Sequence, residues 1–115
     1  MSQHIFTQTL GTQTYEIQVG WDRPTQEYYG QILGWVASHN NNQSGYFDDL
    51  VWCSLSSGPL SLEAIAEEIT GRGFTLPDGL LDNVRNDRYH NAANVMRFYR
   101  TVGPSVECQL ELNFG

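Results

Sequence analysis

The residue pattern predicts an α+β domain: a mainly antiparallel sheet with two central helices packed on one of its faces. Period-two regions near both ends of the chain, and a period-3.6 region between them, carry this expectation. A length of 115 residues leaves room for one hydrophobic core, so residues 1–115 are expected to form one domain. Hydrophobic residues make up 40% of the chain and charged residues 17%, enough apolar mass to fold and too little charge for disorder.

From Ile5 to Val19 the residues alternate around Leu10-Gly11-Thr12, with Tyr15, Ile17 and Val19 on one side and Glu16 and Gln18 on the other, which predicts a hairpin. Gly20-Trp21-Asp22-Arg23-Pro24 ends its second strand, because proline cannot donate to a ladder and biases Arg23 away from helix. Tyr28 to Ala37 admits two readings. A helix would put Tyr28, Ile32 and Trp35 or Val36 on one face, but Gly30 and Gly34 would each cost it about 1 kcal/mol. The aromatic and branched residues favour a strand, in which a glycine often marks a bulge. Ser38 to Gly45 is a polar loop, and Tyr46-Phe47 with Leu50 to Leu55 supply the second arm of a wide hairpin over residues 28–55.

Ser57-Gly58-Pro59 marks the change of period, and Ser61 supplies an N-cap oxygen for a first helix. Leu60 and Ile65 have the spacing of a hydrophobic staple, Leu62, Ile65, Ala66 and Ile69 form the apolar stripe, and Gly71 and Gly73 close the helix. Thr75-Leu76-Pro77-Asp78 reads as a capping box with Asp for Glu, placing Pro77 in the first turn of a second helix that carries Leu80, Leu81, Val84 and Arg88. Beyond Tyr89, a helical continuation through Val95, Met96 and Tyr99 competes with a break at Asn91 and Asn94; the break is chosen, giving a strand at Val95–Thr101. Finally Val106, Cys108, Leu110, Leu112 and Phe114 alternate with polar residues. They predict a strand with one core face and one wet face, paired inside the sheet beside Tyr15–Val19 or the Val95 strand.

Six basic residues, all arginine, stand against thirteen acidic ones for a net charge of −7, which opposes general attraction to nucleic acid or an anionic membrane face. Lysine chemistry is excluded. No P-loop, GxGxxG, GxSxG or HExxH pattern occurs, and Gly71-Arg72-Gly73 follows a helix rather than opening one, so no catalytic residue, cofactor or phosphate loop is assigned. His4, His39 and His90 lack metal-ligand spacing, and adjacent Asp48 and Asp49 would point to opposite faces of a strand. Cys53 and Cys108, 55 positions apart, read as separate thiols; a disulfide would need adjacent strands and an oxidising compartment. The N-terminus shows no secretory pattern, no apolar run reaches membrane-spanning length, and Asn42-Gln43-Ser44 reads as loop, so a cytoplasmic location is expected.

Two sites emerge. Trp21, Asp22, Arg23 and Tyr28 combine the aromatic and arginine types enriched at binding hot spots, within a region that also holds Tyr29, Trp35, Tyr46, Phe47 and Trp52. Arg88, His90, Arg97 and Arg100, from a stretch with four arginines against Asp87 alone, are candidates for an anion site, although pairing with Asp78, Asp82, Glu63, Glu67 or Glu68 would occupy them. The first site predicts a small acidic protein-binding or regulatory module, with a protein partner or a second copy, in which Trp21→Ala or Arg23→Ala would spare the fold and abolish the complex. The alternative is a small anion-ligand-binding protein or enzyme. A nucleic-acid mimic is a third option, for which thirteen carboxylates interspersed with arginines make a poor array.

The run Gly20-Trp21-Asp22-Arg23-Pro24-x-Gln26 after a short hairpin, with Gly73-Phe74-Thr75-Leu76-Pro77 and a later Asp87-Arg88, resembles small uncharacterised bacterial proteins that open in the same way. That resemblance implies no activity, and Thr25 replaces the larger apolar residue expected there.

Overall fold

A computed structural model describes residues 2–37, 45–54, 60–92, 94–102 and 105–113, with backbone only for residues 37, 45, 46, 48, 100–102 and 105–113. The elements are β1 (Ser2–Leu10), β2 (Gln13–Asp22), β3 (Glu27–Ala37), β4 (Gly45–Cys53), α1 (Leu62–Gly71), α2 (Leu80–Tyr89), β5 (Val95–Val102) and β6 (Ser105–Asn113). One six-stranded sheet runs β4-β3-β2-β1-β5-β6, antiparallel throughout except for the parallel β1–β5 pair. The expected α+β class is therefore observed.

The parallel pair explains the helices. A four-strand meander finishes at the β4 edge, and the chain must return across four strand spacings, about 19 Å, to lay β5 beside β1. Two ten-residue helices, about 15 Å each, make that passage over one face. Their apolar stripes, Leu62, Ile65 and Ile69 from α1 and Leu80 and Val84 from α2, close on Phe6, Ile17, Val19, Trp21 and Ile32 of the sheet, with Phe74 and Tyr99 completing the core. Gly30 makes no bulge: a Cβ there would meet Ile65 Cγ2 at 2.6 Å, so its bare backbone lets α1 approach β3.

Residues 28–37 are strand, Ser61 caps α1 through Ala64 N–H at 3.1 Å, and the chain breaks before β5, as the pattern predicts. Four expectations need correction. β2 runs through Gly20 and Trp21 to Asp22, and the corner lies at residues 23–26. α2 begins at Leu80 behind Gly79, which provides no side-chain cap; Gln8 engages both backbone groups of Thr75, holding it against β1 instead of at a helix start. The buried α2 position after Val84 is Asp87, not the exposed Arg88. Finally, β6 pairs with β5 but lies at the sheet edge.

Both edge strands are irregular. In β4 the register skips Val51 and Asp48, and in β6 it skips Gln109, which interrupts the flat edge that would otherwise template aggregation. The bulge also shifts the phase of the final alternation: Cys108 lies opposite Tyr99, whereas Leu110 and Leu112 lie opposite Phe98 and Met96. The side chains of β6, Leu110 and Leu112 among them, and those of Arg100 and Asp48 lie outside the described residues. So do the 38–44 loop with His39 and the sequon, Ser57-Gly58-Pro59, and Phe114. Cys53 and Cys108 occupy strands at opposite edges, five spacings or about 24 Å apart, so no disulfide joins them within the chain.

Candidate functional site

Strand alternation divides the chemistry between the two sheet faces. On the helix side, His4 is fully buried and donates or accepts at both ring nitrogens: Nε2 lies 2.5 Å from Asp87 Oδ2 and Nδ1 lies 2.8 Å from the Tyr99 hydroxyl. Asn83 Nδ2 donates to the same hydroxyl at 3.0 Å. This chain of four side chains ties α2 to β1 and β5. Its histidine is 0% and its aspartate 5% exposed, so no substrate reaches it. An acid–base pair needs contact with a reacting proton, and this one serves as an internal clamp.

The opposite face has a different character. Tyr29 projects across β2 above Gly20 and donates from its hydroxyl to the Ser2 carbonyl at 2.6 Å. A Cβ on Gly20 would sit 2.0 Å from that carbonyl and 2.7 Å from Tyr29 Cε1, so only glycine lets the ring lie there. Burial and, secondarily, the Asp22 and Asp87 carboxylates push the Tyr29 hydroxyl well above the ordinary tyrosine range. Beside the ring, a cavity of about 180 Å³ is lined by Gln18, Asp22, Glu27, Tyr29, Gln31 and neighbouring residues that include Cys53.

Farther along this face, Leu33 pairs with Leu50 across β3 and β4, and the Trp35 and Phe47 rings meet edge to face with centroids 4.9 Å apart. Trp35 is 41%, Leu50 56% and Val51 41% exposed. These residues form an uncovered apolar area on an edge hairpin.

The first sequence-derived site is thus only partly assembled. Trp21 is 1% exposed and belongs to the core; among the described residues its Nε1 finds no acceptor, and it offers no surface to a partner. Asp22 accepts from Thr25 Oγ1 at 2.8 Å and lines the cavity, Arg23 is exposed in the adjacent turn, and Tyr28 lies under the Arg88 guanidinium at 5.4 Å from its ring centre.

Among the described side chains the arginine cluster does not converge. Arg88 stands over β3 while Arg97 and Arg100 start from β5, three strand spacings or about 14 Å away. Arg97 shares a register position with His4 on the helix side of the sheet, and His90 is the exposed C-cap of α2. Arg85 is consumed by Asp82 and Glu63, at 3.1 and 3.0 Å; that bond holds the Glu63 carboxyl below the usual glutamate range. The groove beside Arg85 and Arg88 also presents Glu27 and Glu63, which opposes an anion.

Among the described residues no group of three or more His, Cys, Asp or Glu could hold a metal ion, and no helix is long and apolar enough to cross a membrane. No protein-family model, curated protein or solved structure matches the chain. The functional argument therefore rests on the two sheet faces.

Proposed function

We propose that this chain is a protein-binding module, acting in the cytoplasm, that receives its partner on the sheet face left open by the helices. One observation carries the reading: Trp35 and Leu50 stand exposed on adjoining strands of that face, next to Leu33 and Phe47, while the helix side carries the core. Burying an aliphatic or aromatic side chain of this size is worth about 1.5–3 kcal/mol, so covering the patch would supply a binding centre of ordinary strength. The net charge of −7 favours a partner with a basic surface over a second copy, whose like charge would oppose association. The free Cys53 thiol is compatible with a reducing compartment.

The test compares wild type with Leu50→Glu, a substitution at an exposed position that leaves the core untouched. Chemically cross-linked complexes from the native host are quantified by mass spectrometry, with Glu67→Arg on the exposed surface of α1 as control. A discrete protein should be held by wild type and Glu67→Arg and lost at least about tenfold with Leu50→Glu. Equal recovery with Leu50→Glu overturns the reading. A dimer in sedimentation that Leu50→Glu dissolves would replace the basic partner by a second copy.

A further inference from the structure

We propose that the cavity bounded by Asp22, Glu27 and Tyr29 is a subsite for a cationic side chain of the partner, an arginine before a lysine. The proposal rests on the open sheet face being the binding face and names the chemistry that face selects.

Hydrogen-bond supply and demand in the cavity point one way. Gln18 Nε2 donates to Glu16 Oε1 at 2.7 Å, which fixes the amide and leaves its carbonyl oxygen as an acceptor. Asp22 receives Thr25 on Oδ2 and retains Oδ1. Among the described residues no hydrogen bond or ion pair engages the Glu27 carboxylate, which is half-buried. The Tyr29 hydroxyl has spent its proton on the Ser2 carbonyl, so the ring is held in place by a bond that an incoming group does not need. The lining thus offers carboxylate and amide oxygens around an aromatic ring, and no basic residue among its members. A donor-rich cation satisfies those acceptors, whereas an anion would meet two carboxylates.

Size and shape add to this. At about 180 Å³ the cavity is below the roughly 300–1,000 Å³ of sites that enclose a small molecule, and it suits one side chain presented from a larger surface. Gly20 lets the Tyr29 ring settle across β2, giving a planar wall on which a guanidinium stacks better than an ammonium does. Arg23 is exposed in the turn after β2, and Arg85 and Arg88 share a groove with Glu27 and Tyr28 on the helix side; none of the three lines the cavity.

The test uses the isolated chain and four capped tripeptides, glycine-X-glycine with X as arginine, lysine, citrulline or glutamate, titrated while amide and side-chain NMR shifts are followed. Saturable shifts at Gln18, Asp22, Glu27 and Tyr29 are expected with arginine, weaker ones with lysine, and none with citrulline, the uncharged analogue, or with glutamate. Glu27→Gln, checked for unchanged melting temperature, should weaken arginine-peptide binding by about fivefold. Glu68→Gln, exposed on α1 and away from both the cavity and the open face, should leave it unchanged. Equal response to arginine and citrulline, no saturable response, or shifts centred elsewhere would overturn the proposal. Arginine selectivity in a chain whose cellular complex ignores Leu50→Glu would retain the subsite and remove the proposed docking face; the converse pattern would remove only the subsite.

Discussion

Replacing Asp87 by alanine removes the acceptor facing His4 Nε2 at 2.5 Å while leaving the imidazole fully buried between β1 and α2. The remaining bond between Nδ1 and the Tyr99 hydroxyl satisfies only the other ring nitrogen. Breaking a buried pair by deleting one member costs about 3–5 kcal/mol, because the abandoned group keeps its desolvation penalty. Domains of this length are stable by roughly 6–17 kcal/mol, so the substitution consumes a large share of the margin. In urea, followed by far-ultraviolet circular dichroism, a cost near 4 kcal/mol at a slope of about 1.5 kcal/mol per molar lowers the midpoint by roughly 2.7 M. Asp87→Asn, which keeps an oxygen acceptor and loses the charge, should fall by about half as much. A midpoint for Asp87→Ala within about 0.5 M of wild type would refute the clamp.

Three further outcomes are expected. Trp21→Ala empties a site that is 1% exposed and should destabilise by about 3–5 kcal/mol in the same assay, so loss of a complex in this variant would report unfolding and not a missing contact. Gly20→Ala should lower the melting temperature and displace the Tyr29 ring resonances, because its Cβ would fall 2.0 Å from the Ser2 carbonyl; an unchanged Tyr29 environment would contradict the close approach. The raised Tyr29 ionisation means that the unfolded chain loses this proton first on going alkaline. Its stabilising contribution is therefore complete below about pH 10 and declines above that value. Tyr29→Phe should flatten that part of the decline, and equal alkaline slopes in the two proteins would count against the shift.

What the sequence makes legible follows from whether a residue's decisive partner is near in the chain. The first hairpin and the Ser61 cap rest on contacts within a few residues, and both are present. The Thr75–Asp78 capping pattern fails because Gln8, 67 positions away, holds Thr75 first. Nothing local indicates that β5 joins β1 in parallel, which places β6 at the edge and brings Tyr99 to His4.

Some of the site was nevertheless readable. Period two carries from Ile17 and Val19 directly to Trp21, assigning that ring to the core, but its residue type suggested a hot spot. Asp87 lies three positions beyond Val84 and seven beyond Leu80, on the buried stripe of α2, and a carboxylate there demands a partner. The identity of that partner, His4, lies 83 positions away and needs the folded chain. The cavity at Tyr29 likewise depends on strands meeting across Gly20, whereas Asp22 beside it stood out from sequence alone.

The most direct test of the open face is site-specific photo-cross-linking in the native host, with a photoreactive residue placed at Leu50, exposed opposite Leu33, or at Glu67, exposed on α1. A discrete adduct of one protein from position 50, with none from position 67, is the predicted result. An adduct from position 67 alone, or from neither, would contradict it.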